Sequence, residues 1–252
     1  MELKGKKVGI ALTGSFCTFD KIFVELEKLM ETGAEVYTIF SDASQRITSR
    51  FGKPEDFMKR AEEITGRKIE NEYYSTQVNG YTFIVLASEY DHTDMYVSPA
   101  QLAWLEAEMA KASQDGKPIF VISHWPVNAS HGLPESWGDK EYDPDEGGMG
   151  DQSDAVAAIL KKYKNVFLIS GHIHLGFKNE GQLGRYTYSS VESEGSFHSI
   201  NMPQYMYLTA RGRIANGTGF VVEVYEDEVE IRARSFSAGV WYTDYDWSFD
   251  LV

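Results

Sequence analysis

Cysteine is almost missing from this chain. Cys17 stands alone among 252 residues, so no internal disulfide can form and thiol usage assigns no compartment. Nowhere do 18 apolar residues run together, which leaves no candidate for a membrane-spanning helix. The apolar stretch after Lys6-Lys7 is about half the length of a signal-peptide core, and no small-residue cleavage site follows it. A soluble, cytoplasmic protein is therefore expected. Basic residues are scarce beside acidic ones: 24 Lys+Arg against 38 Asp+Glu leave a net charge of −14. Neutralising a nucleic-acid backbone takes clustered Lys and Arg, so such a partner is not expected. Small phosphorylated substrates stay open, because a bound cation reverses the local field. Repeats and low-complexity tracts are lacking too. What remains is an ordinary globular composition, 42% hydrophobic and 25% charged, long enough for one large or two small domains and a sizeable core.

Apolar patterning divides the chain into alternating elements. Lys7 to Leu12 reads as a buried strand closed by Thr13-Gly14-Ser15, and Phe19 to Met30 as a helix with Ile22, Phe23, Leu26, Leu29 and Met30 on one face. Glu35 to Phe40 follows as a strand, completing a βαβ unit whose strands must run parallel. Pro54 to Thr65 reads as a helix with proline in its first turn and Gly66 at its end. Tyr81 to Ala87 is a strand, Ser98 to Ser113 a helix opened by Ser98-Pro99, Ile119 to Ser123 a strand, Ser153 to Tyr163 a helix and Val166 to Ser170 a strand. After Gly184 the pattern predicts short strands at Arg185 to Val191, Met206 to Ala210, Gly219 to Tyr225, Val229 to Ser235 and Val240 to Tyr245, with a tight turn at Glu226-Asp227. The sum is an α/β layered architecture that finishes in antiparallel strands. Trp125 to Gly150 has no periodicity and holds three prolines. With seven carboxylates between Glu135 and Asp151, this segment is expected to be a solvated lid.

Two turns carry the chemistry. Ser170-Gly171-His172-Ile173-His174 and Ile122-Ser123-His124-Trp125-Pro126 each follow directly on an apolar strand. Their imidazoles would therefore project from the carboxyl edge of a sheet, where open α/β sheets place ligands. If the two strands are neighbours, His124, His172 and His174 converge, and neutral imidazole is the commonest ligand for zinc-like metals. The plainer reading is three satisfied polar side chains at strand ends. His131 and His198 are expected in solvated loops. Trp104, Trp125, Trp241 and Trp247 read as packing. Cys17 reads as a small filler, with a reactive thiol beside a helix start as the alternative. Asn201 and Arg211-Gly212-Arg213 are weaker candidates for a substrate phosphate.

Gly171-His172-Ile173-His174, the upstream Ser123-His124, Gly80 to Leu86, Gln101 to Leu105 and the terminal strands together resemble the calcineurin-like metallophosphoesterases, over roughly residues 73 to 252. The resemblance implies a sheet-centred layered sandwich and hydrolysis of a phosphate mono- or diester. By the same resemblance His124 and His172 ligate one divalent ion and His174 another, with Mn, Fe or Zn as the metal and one or two ions bound. The three imidazoles are then the catalytic residues as well as the metal ligands. The family's earlier Asp-x-His, Gly-Asp and Gly-Asn-His motifs do not occur ahead of residue 80. Asp91-His92 is adjacent rather than spaced, and Gly138-Asp139 and Gly150-Asp151 come too late in the order. The bridging Asp that holds two ions is thus lacking, which leaves full or impaired activity open. Asp42, with Asp20 beside it as a second choice, is the nearest surrogate ligand.

The front of the chain resembles a different group. Leu3 to Gly9, Leu12-Thr13-Gly14-Ser15-Phe16-Cys17-Thr18 and Arg50-Phe51-Gly52-Lys53 are similar to the start of a dipicolinate synthase subunit family, part of the flavoprotein group. That likeness spans roughly residues 1 to 70 and implies that Thr13, Gly14 and Ser15 approach the phosphate of FMN. Two units follow, a flavoprotein-like βαβ fragment at 1–72 and a phosphoesterase-like part at 73–252. The pairing is open to three accounts: a natural fusion, a misassembled reading frame, or a fold in which the βαβ unit replaces a lost front. Three functions compete accordingly: a metallophosphoesterase, an FMN- or nucleotide-binding module, and a non-catalytic remnant that persists as an oligomer.

Overall fold

The computed structural model describes residues 3–13, 16–67, 73–89, 95–133, 148–173, 175–180, 187–203 and 217–252. The front forms as the pattern requires. Strand β1 (Lys7–Leu12) leads through helix α1 (Phe19–Glu31) to β2 (Glu35–Phe40), which lies parallel to β1 in the register Lys7↔Glu35 to Leu12↔Phe40. The short α2 (Asp42–Arg46) follows at once, then α3 (Pro54–Thr65). Helix α1 turns Phe19, Phe23 and Leu26 inward, onto Phe40 of β2 and onto Phe57 and Ala61 of α3. The Phe19 and Phe57 rings meet edge to face at 5.0 Å, the geometry their quadrupoles favour. Gly66 ends α3 in the left-handed conformation and donates its N–H to the Glu62 carbonyl.

The rest of the chain builds the main body. β3 (Tyr74–Val78) and β4 (Tyr81–Val85) form a hairpin through Asn79 and Gly80, both at positive φ. Asn-Gly is the pair that suits a two-residue turn of this hand. Ser98 then caps α4 (Pro99–Ala112) by accepting the Gln101 N–H at 3.1 Å. β5 (Ile119–Ile122), α5 (Ser153–Leu160) and β6 (Val166–Ser170) come next, followed by the small pair β7 (Lys178–Glu180) and β8 (Thr187–Ser189). β9 (Val191–Glu194) and β10 (Phe197–Asn201) complete a six-stranded sheet of order β3-β4-β5-β6-β10-β9. Its four inner strands are parallel, and the two edge strands are antiparallel to them. β11 (Thr218–Val224), β12 (Glu228–Ser235), β13 (Val240–Trp241) and β14 (Trp247–Asp250) form an antiparallel second sheet.

β5 shows how one strand serves every layer. None of its four residues is more than 3% exposed. Because side chains alternate across a strand, Ile119 and Val121 pack with Leu105 and Met109 of α4 and with Val156 and Leu160 of α5. Phe120 joins Val229 and Ile231 of the second sheet, and Ile122 meets Val85 and Ile39 of β2. Each such burial contributes about 1.5–3 kcal/mol. The front unit shares no strand ladder with the main sheet among the described residues. It attaches through Ile39, through the Phe40 N–H donated to the Tyr74 hydroxyl at 3.1 Å, and through Asn79 Nδ2 donated to the Lys7 carbonyl at 3.4 Å.

Several expected boundaries shift. β3, β7, β10 and β14 form where no strand is expected, and β9 begins where the Arg185 strand is expected to end. Val240 to Tyr245 yields only the two residues of β13 before a 3-10 turn at Thr243–Tyr245. The helix expected to reach Tyr163 ends at Leu160. The Arg185 strand shortens to β8, and Met206 to Ala210 lies outside the described residues. The segment after β5 is not solvated at its two ends. Trp125, Val127, Ser130, His131, Leu133 and Met149 are all buried, while residues 134–147 lie outside the described residues.

Candidate functional site

The two histidine turns lie side by side because their strands do. β5 and β6 are parallel neighbours, and the ladder continues past their ends: Ser123 N–H donates to the Ile169 carbonyl at 3.0 Å, and Gly171 N–H to the His124 carbonyl at 3.1 Å. The His124 and His172 rings therefore face each other, with Nε2 of the first 3.0 Å from Nδ1 of the second and the planes inclined by 75°. Trp125, buried, packs edge-on to His124 with centroids 4.7 Å apart and lies 5.6 Å from His172. It closes the pair off from behind.

The front unit enters here. His124 Nδ1 bonds the carbonyl of Thr13, the residue that follows β1. A carbonyl only accepts, so Nδ1 carries the ring hydrogen, and the Nε2 lone pair accepts the Nδ1–H of His172. This is the outer-shell arrangement that orients a metal-ligating imidazole. Thr13 also sits tightly on the neighbouring turn, since a Cβ added to Gly171 would stand 2.7 Å from its hydroxyl. Beneath the second turn, buried Asn201 accepts from the Ile173 N–H at 3.5 Å and donates to the Tyr188 hydroxyl at 3.0 Å. Burial holds Tyr188 far above the usual phenol range, so it stays a neutral hydroxyl. Asn201 is thus a brace for the turn, not a free phosphate contact.

Two ring nitrogens that share an ion at 2.0–2.1 Å each stand about 3 Å apart or slightly more. The His124–His172 pair has that separation, but here the two nitrogens are hydrogen-bonded to each other and not turned toward a common point. Further donors are not among the described residues, where no group of three or more His, Cys, Asp or Glu could hold a metal ion. His174, Gly14, Ser15, Arg211 and Arg213 lie outside the described residues, as does the side chain of Asp42, whose backbone opens α2 directly after β2. Asp20 is not a surrogate ligand: its carboxylate is 86% exposed and pairs with Arg60 of α3 at 2.8 Å. Cys17 is half-buried in the 3-10 turn before α1.

Of two histidines expected in solvated loops, one is buried and the other half-buried in a strand. His131 is fully buried at positive φ, with Nδ1 2.7 Å from the Ser189 carbonyl and Nε2 2.8 Å from the Ser199 hydroxyl. The carbonyl again assigns the hydrogen to Nδ1, and Ser199 donates to Nε2. His198 lies within β10, its ring 4.0 Å from that of Phe249, and burial lowers its pKa. No local signal marks His131, since its partners lie 58 and 68 residues away. Four of the five tryptophans, Trp104, Trp125, Trp241 and Trp247, pack as expected, Trp241 against the guanidinium groups of Arg232 and Arg234.

No family model matches the chain. Its amino-terminal part carries a likeness to a dipicolinate synthase subunit of Bacillus subtilis (strain 168): 39% identity over 65 residues, 26% of this chain and 32% of that protein. The match thus spans about a third of the relative's length. Among solved structures, a dimetal phosphatase from Danio rerio superposes with a TM-score of 0.53 at 13% identity, covering 98% of this chain and 84% of the other. A purple acid phosphatase from yellow lupin (Lupinus luteus) seeds gives 0.53 at 13%, covering 97% and 46%. The mixed α/β sandwich therefore shares the fold of these two phosphatases. No helix among the described residues is long and apolar enough to cross a membrane.

Proposed function

We propose that this chain is a metal-dependent phosphoesterase that hydrolyses a small phosphate mono- or diester in the cytoplasm. One observation carries the reading: two imidazole nitrogens 3.0 Å apart, at the carboxyl edge of a phosphatase-type sheet, with the tautomer of one fixed by a carbonyl from another strand. His124 and His172 hold a divalent ion, and His174 is the third ligand or the first of a second ion. When bound, such an ion polarises the ester and lowers the pKa of a coordinated water. The chain's own part is positional. Thr13 keeps the His124 lone pair turned toward His172, Asn201 fixes the second turn, and Trp125 packs against both rings.

Elemental analysis of the purified protein tests this directly. At least one equivalent of Mn, Fe or Zn is expected, lost in His124→Ala and His172→Ala, with metal-dependent hydrolysis of an aryl phosphate. Protein that holds no metal and gains no activity with added Mn or Zn refutes the reading.

A second reading draws on the 39% identity of the front to a dipicolinate synthase subunit over 65 residues: FMN or a nucleotide bound at Thr13, Gly14 and Ser15. In the structure the Thr13 carbonyl accepts from His124; a phosphate would draw on donors instead, the Thr13 N–H and hydroxyl. A colourless protein with no FMN-dependent rise in melting temperature removes this alternative.

A further inference from the structure

The front unit does more than orient one imidazole. β1 is paired on one side only, by β2, and β11 on one side only, by β12, among the described residues. Their other edges border a cleft of 980 Å³. Its walls are Ile10 and Leu12 of β1, Ile22 and Leu29 of α1, and Phe220 and Val222 of β11. The cleft follows β1 from Val8 to Thr13, about 16 Å at the rise of an extended chain. One end is bordered by Glu25 and Lys28, which pair at 2.7 Å. The other is closed by Thr13 and Gly171, whose carbonyl and following residue supply the bond to His124 and the second imidazole. A site of this size, apolar along its walls and polar at one end, suits an elongated amphiphile.

We propose that the cleft takes the apolar tail of a phosphorylated amphiphile, an alkyl phosphate of about eight carbons, with its phosphate at the Thr13–Gly171 end beside the imidazole pair. This assignment of substrate class rests on the phosphoesterase reading. A small ester would leave the walls wet. A linear alkyl chain covers the part-exposed Ile10, Ile22, Leu29 and Val222.

The test is a chain-length series. Dissociation constants for ethyl, butyl, hexyl and octyl phosphate are measured on the metal-free protein by displacement of 1-anilinonaphthalene-8-sulfonate and by titration calorimetry. Full burial tightens binding by a factor of about four per methylene, so octyl phosphate is expected to bind at least about tenfold more tightly than butyl phosphate. Val222→Glu, at a position already 37% exposed, should flatten the series without lowering the melting temperature. Affinity independent of chain length, or a series unchanged by Val222→Glu, overturns the proposal. Because binding is read without metal, it separates from turnover. A steep series with no hydrolysis keeps the cleft and sinks the phosphoesterase reading, whereas metal-dependent hydrolysis with the same KM for ethyl and octyl phosphate does the reverse.

Discussion

Replacing Gly171 with alanine asks whether the front unit truly sets the imidazole pair. The new Cβ would stand 2.7 Å from the Thr13 hydroxyl and 3.4 Å from the Thr13 Cβ, closer than carbon and oxygen tolerate. Thr13 is not at liberty to retreat, since its carbonyl receives the His124 ring hydrogen. Either the hydroxyl rotates, or the end of β1 moves and takes the carbonyl with it. One methyl forced into a packed site costs about 1–3 kcal/mol. At about 2–4 °C per kcal/mol for a chain of this size, the melting temperature should fall by about 2–12 °C. Loss of the outer-shell bond should weaken metal binding about 10- to 100-fold. Thermal melting and competition against a chromogenic zinc chelator read the two effects separately. Adding Thr13→Ala removes the hydroxyl but keeps the carbonyl, so the double variant should regain most of both losses. A Gly171→Ala protein that melts and binds zinc like the parent, or a double variant no better than the single one, refutes the reasoning.

Three further perturbations bear on other joints. His131→Ala leaves the Ser189 carbonyl and the Ser199 hydroxyl without their ring partner inside a filled core; denaturant titration should show a loss of about 3–5 kcal/mol, and a loss below about 1 kcal/mol would contradict the packing described. Tyr74→Phe removes the acceptor of the Phe40 N–H, so stability should fall by about 1–2 kcal/mol and the Phe40 amide should exchange faster, while unchanged exchange would place the joint elsewhere. Burial lowers the folded pKa of His198, so below about 6.5 the unfolded chain takes up a proton that the folded chain refuses. Its contribution is complete above that pH and is lost as pH falls toward the lowered value; His198→Leu should flatten this slope in melts run from pH 5 to 7, and parallel curves for the two proteins would exclude the effect.

What the sequence made legible is what local pattern determines. Ile119 to Ile122 and Val166 to Ile169 are apolar throughout because both faces of their strands are covered, and a continuous apolar run signals that. The histidine turns were legible for the same reason, being the first polar residues beyond such runs. Edge strands were not. Tyr74 to Val78 carries Ser75, Thr76 and Gln77 and is half-exposed, so its apolar signal is weak, although Asn79-Gly80 between two strands was a usable hairpin mark. β10 alternates His198 with buried Phe197 and Ser199, and its strand state depends on β6, 31 residues earlier in register. The burial of His131 depends on partners equally remote. That Thr13 would turn His124 was illegible, because nothing in either segment refers to the other across 111 residues.

The single bond from Thr13 to His124 ties occupancy at the imidazole pair to the seating of residues 3–67. Whatever engages Nε2 of His124 favours the one ring orientation that Thr13 enforces, so loading the pair clamps the amino-terminal layer onto the sandwich by the same free energy with which a seated layer favours loading. Protection of β1 and β2 amides in exchange experiments then becomes a gauge of ligation some distance away, and a proteolytic cut between the two parts should release its ion.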